Sequence, residues 1–312
     1  MAPMRVLRST TLDYGTETPG GSGQSDREAF VKHPFATLAV LLAVCGAIAA
    51  AVTLAGSSGH GSRGAASPAP KPAKRVAPPP PPTVVQGRHD SAVPILMYHV
   101  LGVPPAGAPY PDLYVKPSDL AGQMQWLAQR GYHAVTLGQV FRYWHSGIAL
   151  PAKPIVVSFD DGYLSDYTVA MPTLRRHGWP GVLSLIVDNV RPGDLTALQV
   201  RRLIAAGWEI DSHTITHADV TTLDQAGLQR EIGQARTDLQ RMFHQPVDFF
   251  CYPAGQYDAA AIAEVQAAGY LGATTVNPGL ARPSDPFTLN RIRIDYGDGV
   301  GGFAAKMRRY TG

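Results

Sequence analysis

The chain has 312 residues, with 27 basic and 24 acidic side chains and a formal net charge of +3. That length suits one large domain or two ordinary ones, and so even a charge balance gives no argument for a nucleic-acid or polybasic membrane footprint. Cys45 lies in an apolar run and Cys251 far away in a polar domain; both read as small buried residues rather than a disulfide pair.

Residues 1–33 are rich in Gly, Ser and Thr, lack hydrophobic periodicity and read as a disordered tail. Residues 34–55 carry no charged side chain, a length that crosses a bilayer as one helix. A cleaved signal peptide is the alternative, because Thr53-Leu54-Ala55-Gly56 offers small residues for cleavage. The long polar segment before the run favours an uncleaved transmembrane anchor. Residues 56–90 consist largely of Gly, Ser, Ala and Pro, with prolines at every position from Pro78 to Pro82. Such a stretch is an extended linker, advancing ~3 Å per residue.

Residues 91–312 alternate strand-like and helix-like segments. An apolar run at 94–98 leads into Leu120, Met124 and Leu127 at helical spacing, with Gly131 as the stop. Strand patterns follow at 133–137, 155–159, 182–187 and 208–210. A long helix carries Leu228, Ile232, Leu239 and Met242, and a shorter one opens at Asp258 and stops at Gly269. The last strands are at 248–252, 272–276 and 289–294. Repeated strand–helix units predict a largely parallel sheet, and this many in one domain predict a (β/α) barrel with its chemistry at the carboxyl ends of the strands.

Two polar clusters fall at such ends. Ser158-Phe159-Asp160-Asp161-Gly162-Tyr163 follows an apolar strand. Asp-Asp-Gly alone is a common turn, but adjacent carboxylates can divide labour between binding a metal and acting as a base. The second cluster runs from Asp211 to His217, with His213 and His217 spaced i, i+4. On one face of a helical turn, both imidazoles reach one ion. One carboxylate and two imidazoles leave open positions, as in catalytic rather than structural zinc sites. Such a site makes hydroxide available near neutral pH and polarises a carbonyl.

Phe159-Asp160-Asp161-Gly162 followed by His213-Thr214-Ile215-Thr216-His217 resembles the first two motifs of the NodB-type polysaccharide deacetylases, carbohydrate esterase family 4. The likeness extends over about 93–295. It implies a distorted (β/α) barrel, Asp160 as catalytic base, and Asp161, His213 and His217 as ligands of a divalent metal, zinc first. The family's third motif, Arg-x-Pro-Tyr, appears as Cys251-Tyr252-Pro253-Ala254, so Cys251 stands in place of the arginine that holds the base and Ala254 in place of the tyrosine. Tyr252 is expected to offer its backbone N–H to the oxyanion. Arg291 or Arg293 is a candidate replacement for the arginine, and Tyr163, Pro253 and Arg291 are candidate substrate contacts.

The family's C-terminal histidine, the general acid, has no good counterpart: His244 is the only histidine after His217. Residues 95–100, Ile-Leu-Met-Tyr-His-Val, instead resemble the first strand of the permuted branch that includes the poly-N-acetylglucosamine deacetylases, which makes His99 the expected acid. An amine leaves poorly unless protonated, so such a group is required. The resemblance therefore implies an N-deacetylase acting on an extracellular N-acetylglucosamine polymer, either peptidoglycan or poly-N-acetylglucosamine. The alternatives are an O-acetyl esterase on xylan-like glycans, a glycan-binding module without turnover, or a structural cell-wall tether. No protein partner is inferred. Arg63, Lys71, Lys74 and Arg75 after the anchor outnumber Arg27 and Lys32 before it, which by itself favours an outside N-terminus. The need for an extracellular substrate overrides that count and places the catalytic domain outside the cytoplasmic membrane.

Overall fold

A computed structural model describes residues 83–312; the expected tail and anchor, and most of the linker, lie outside them. The strands, in chain order, are β1 (Ile95–Tyr98), β2 (Val100–Leu101), β3 (Tyr114–Val115), β4 (His133–Ala134), β5 (Pro154–Asp161), β6 (Val182–Leu185), β7 (Glu209–Ser212), β8 (Phe249–Cys251), β9 (Gly272–Pro278) and β10 (Leu289–Arg293). The α-helices are α1 (Pro117–Gln129), α2 (Leu137–Ser146), α3 (Met171–Arg175), α4 (Ala197–Ala205), α5 (Gln225–Leu228), α6 (Ala235–Phe243), α7 (Ala259–Ala267) and α8 (Gly299–Thr311).

The strand order β1-β10-β9-β8-β7-β6-β5 closes on itself because β5 also pairs with β1. Every pairing in this ring is parallel, so the domain is a closed seven-stranded parallel barrel, as the alternating pattern predicts. Strand β4 pairs with Pro154 and Ile155 at the start of β5, on the edge that β1 takes over from Val156 onward. The predicted strand at 133–137 is therefore cut short: Thr136 caps α2 by accepting from the Gln139 N–H, and Gln139 reciprocates.

Burial on both faces explains the composition of β5, in which Ile155, Val156, Val157 and Phe159 are all fully buried. Val157 and Phe159 belong to the core between strands and outer helices, whereas Val156 packs with Ile95, Val182, Phe249 and Leu289 in a second cluster. The two-residue period then puts Ser158 and Asp160 on the same face as Val156. The long helix at 225–243 is continuous but contains a π-helical segment, Gln229–Gln234. Asp258 caps α7 through the Ala261 N–H at 2.8 Å.

The chain meets the domain before residue 91. Val85 N–H donates to Gly147 O at 2.7 Å and Ala149 N–H to Thr83 O at 2.8 Å. Val84 and Val85 remain exposed, so this docking uses backbone hydrogen bonds and adds little apolar surface. Among the described residues, no helix is long and apolar enough to cross a membrane.

Candidate active site at the carboxyl end of the barrel

Asp160 and Asp161 end β5, His213 directly follows β7, and His99 directly follows β1. Strand alternation would send Asp160 and Asp161 to opposite faces. The backbone breaks that alternation at Asp161, where φ is +77°, and continues left-handed through Gly162 at +87°. A Cβ at Gly162 would collide with Leu185, so this sharp turn needs glycine. The Asn189 side chain holds the turn from across the site, donating from Nδ2 to the Asp161 carbonyl at 2.9 Å.

The structure brings the three expected ligands together. Asp161 Oδ1 lies 3.3 Å from His213 Nε2 and 3.6 Å from His217 Nε2, and it is buried without a hydrogen-bond partner. A tetrahedron with ~2.0–2.1 Å bonds has edges of about 3.3–3.4 Å, so these atoms are spaced as ligands of one small cation. His213 Nδ1 meets the Cys251 carbonyl at 2.7 Å, an arrangement that directs the Nε2 lone pair toward Asp161. Burial and the neighbouring His213 both lower the His217 imidazole, favouring the neutral, ligating form. The donor set and its orphaned oxygen fit a divalent ion.

The predicted helical turn between the histidines is not there. Residues 213–217 form an irregular loop in which Thr214 and His217 both have positive φ, +68° and +65°. The imidazoles converge because the backbone folds back twice, with Thr214 Oγ1 accepting the His217 N–H at 2.8 Å.

Asp160 is 2% exposed and clamped by Arg291, whose Nη1 and Nη2 each lie 2.8 Å from one carboxylate oxygen. Burial alone would raise this carboxyl, but the guanidinium holds it well below the usual carboxylate range. Arg291 corrects one expectation, that of a substrate contact. Its remaining N–H groups donate to Thr275 O, Ser158 Oγ and Cys251 Sγ, which leaves no donor for a ligand. Of the two arginines considered as partners of Asp160, Arg291 is the one that pairs with it, whereas Arg293 is exposed and pairs with Asp295. Cys251, where the arginine of the motif would stand, contributes a thiol 3.6 Å from Asp160 Oδ2.

Two further expectations are corrected. The Tyr252 N–H is engaged by Thr274 O of β9 at 3.1 Å and so is not free for an oxyanion. Ala254, with φ +50°, lines the cavity alongside Tyr252, and no backbone group elsewhere in the described chain engages its N–H. Pro253 is buried at the start of a short turn and does not line the cavity.

His99 Nε2 lies 3.8 Å from Asp160 Oδ2, and His99 Nδ1 is buried without a partner. Burial lowers this imidazole against the opposing pull of Asp160 and Asp161. His244, the rejected alternative, caps α6 at φ +54° and does not line the cavity. The cavity measures about 590 Å³ and is lined by His99, both aspartates, His213, His217, Tyr163, Tyr110 and Val276, among others. Burial and the Asp161 charge raise the Tyr163 phenol, which keeps it a neutral hydroxyl. Asn189, Ala254 and Arg291's clamp were not legible as a set from sequence, since their partners are distant in the chain.

Residues 147–273 match the sequence profile of the family described as polysaccharide deacetylase. YxkH of Bacillus subtilis, whose name assigns it provisionally to the polysaccharide deacetylases, is 28% identical over 68% of this chain and 75% of its own length. The poly-beta-1,6-N-acetyl-D-glucosamine N-deacetylase of Escherichia coli is 28% identical over 62% of this chain, a match that spans 35% of that enzyme's length. A solved structure of the Streptococcus pyogenes deacetylase PplD, in complex with acetate, superposes with a TM-score of 0.65 at 25% identity, covering 70% of this chain and 99% of the other.

Proposed function

We propose, from the premise that the chain carries a polysaccharide deacetylase domain of the NodB type, that it hydrolyses N-acetyl groups on an extracellular N-acetylglucosamine polymer with a divalent metal, zinc first. The observation that carries this reading is Asp161 Oδ1, buried without a partner and facing Nε2 of both His213 and His217 beside a clamped second carboxylate.

Asp161, His213 and His217 would hold the cation, which when bound would supply Lewis acidity to the acetyl carbonyl and acidify water. The protein's own groups do the rest. Asp160 stays ionised because Arg291 grips both its oxygens, and it accepts the proton of the attacking water. The Ala254 N–H donates to the carbonyl oxygen as charge develops there. His99, across from Asp160 Oδ2, protonates the departing nitrogen so that it leaves as an amine. Tyr163 offers a hydroxyl from the cavity wall to the sugar.

The same reading places the domain outside the cytoplasmic membrane, tethered by residues 34–55 and spaced from it by the proline-rich linker. Acetate release by the 83–312 fragment from poly-N-acetylglucosamine, peptidoglycan, chitin oligomers and acetylated xylan tests the substrate. Release from an N-acetylated glycan is expected; release from xylan alone would make the enzyme an O-acetyl esterase.

A further inference from the structure

We infer that Glu231 is a positioning residue that sets the spacing of the two histidine ligands, an inference that rests on the reading of their cluster as a cation site. Glu231 lies outside both motifs and is 2% exposed. Its Oε2 accepts two consecutive backbone N–H groups of the histidine loop, Ile215 at 3.0 Å and Thr216 at 2.9 Å. Its Oε1 accepts from Arg230 Nη1 at 2.9 Å.

The loop needs such support because it has no helix or strand to shape it. Two of its non-glycine residues, Thr214 and His217, sit in the left-handed region, a conformation that persists only where the surroundings over-determine it. Its carbonyls are fixed from the other side, with Val187 N–H donating to Thr214 O at 3.1 Å and Asp188 N–H to Ile215 O at 3.0 Å. Glu231 supplies the opposing half of this grip. Bonded from both sides, the backbone between His213 and His217 cannot shift to change the separation of the imidazoles without losing a part-buried, charge-assisted bond to a carboxylate.

The helix that carries Glu231 is shaped for this task. Gln229–Gln234 is a π-helical segment between α5 and α6, and such widened turns interrupt the regular stacking of a helix. The segment buries Glu231 and Ile232 together. Ile232 is fully buried in the core, and its carbonyl accepts from the Tyr270 hydroxyl at 3.0 Å. That anchorage fixes the segment from which Glu231 reaches the loop. Supports of this kind around metal ligands are worth ~10–100-fold in metal affinity.

The test is zinc affinity of the 83–312 domain by competition with a chromogenic chelator. Glu231→Gln keeps the volume and an acceptor oxygen but loses the charge, and it should weaken zinc binding ~10-fold, with Glu231→Ala at the upper end of the ~10–100-fold range. Saturating zinc should restore most of the acetate release in Glu231→Gln, because Asp160 and His99 are untouched; a merely misfolded variant would not recover. Unchanged zinc affinity in the Gln variant, with the wild type binding zinc, would overturn the inference alone. A wild-type domain without zinc affinity would overturn the cation-site reading and this inference together.

Discussion

Replacing Arg291 by alanine probes the clamp on Asp160. The pair is buried, with Asp160 at 2% and Arg291 at 1% exposure and both contacts at 2.8 Å. Removing one partner leaves a buried carboxylate with the weak thiol donor of Cys251 at 3.6 Å and the His99 imidazole at 3.8 Å as its nearest support. Breaking a buried pair in this way costs about 3–5 kcal/mol. For a domain of this size, ~2–4 °C of Tm is lost per kcal/mol, so Tm should fall roughly 6–20 °C. The scan is best run on metal-stripped protein, since bound zinc would add its own stabilisation. The rate should fall ~10²-fold or more, because burial without the guanidinium raises the Asp160 carboxyl and weakens its hold on geometry. Arg291→Lys keeps the charge but not the two-pronged geometry and should recover stability better than rate. A cycle with Asp160→Asn separates the pair from its surroundings. Strict additivity of the two substitutions, or an unaltered Tm and rate in Arg291→Ala, would refute the clamp.

His213→Ala and His217→Ala should each lose stoichiometric zinc by elemental analysis, whereas Asp160→Asn should keep the zinc and lose ~10²-fold or more in rate; zinc lost equally from all three would make Asp160 a ligand. His99→Ala should bind zinc normally and lose ~10²–10⁴-fold on N-acetyl substrates, with a much smaller loss on an activated aryl acetate, whose leaving group departs without a proton. Equal losses on both substrates would make His99 structural. Away from the site, burial pushes the Glu209 carboxyl up to about 7 despite hydrogen bonds from the Gly138 N–H. The unfolded value is ~4.3, so the folded state binds the proton more tightly and Glu209 removes stability as pH rises from about 4.3 to about 7, then levels off. Glu209→Gln should flatten that part of the Tm–pH curve, and an unchanged slope would show that Glu209 does not titrate there.

What the sequence made legible follows from the range over which each signal acts. The apolar run of β5 and the polar residues at its end sit side by side, so Asp160 and Asp161 could be placed at a strand terminus from local pattern alone. The same holds for His213 after β7 and His99 after β1. The barrel was readable from alternation, although closure depends on β1 pairing with β5, which periodicity does not report. The loop between the histidines was misread because i, i+4 spacing is shared by helices and by other folded-back backbones. Two left-handed residues, not a helix, bring the rings together. Arg291 could be nominated but not assigned, since it lies 131 residues from Asp160 and its burial appears only in three dimensions. Tyr252 failed as a donor for a related reason: parallel pairing with β9 claims its N–H, and a sequence motif does not show which backbone groups a neighbouring strand uses.

The most direct test of the central claim is acetate release from poly-N-acetylglucosamine by the 83–312 domain after chelator stripping and stepwise return of zinc. Release should stop on stripping, return with about one zinc per domain, and stay absent at the same zinc concentrations in Asp161→Ala. Full release from the stripped wild type, or zinc-dependent release by Asp161→Ala matching the wild type, would contradict a cation held by Asp161, His213 and His217.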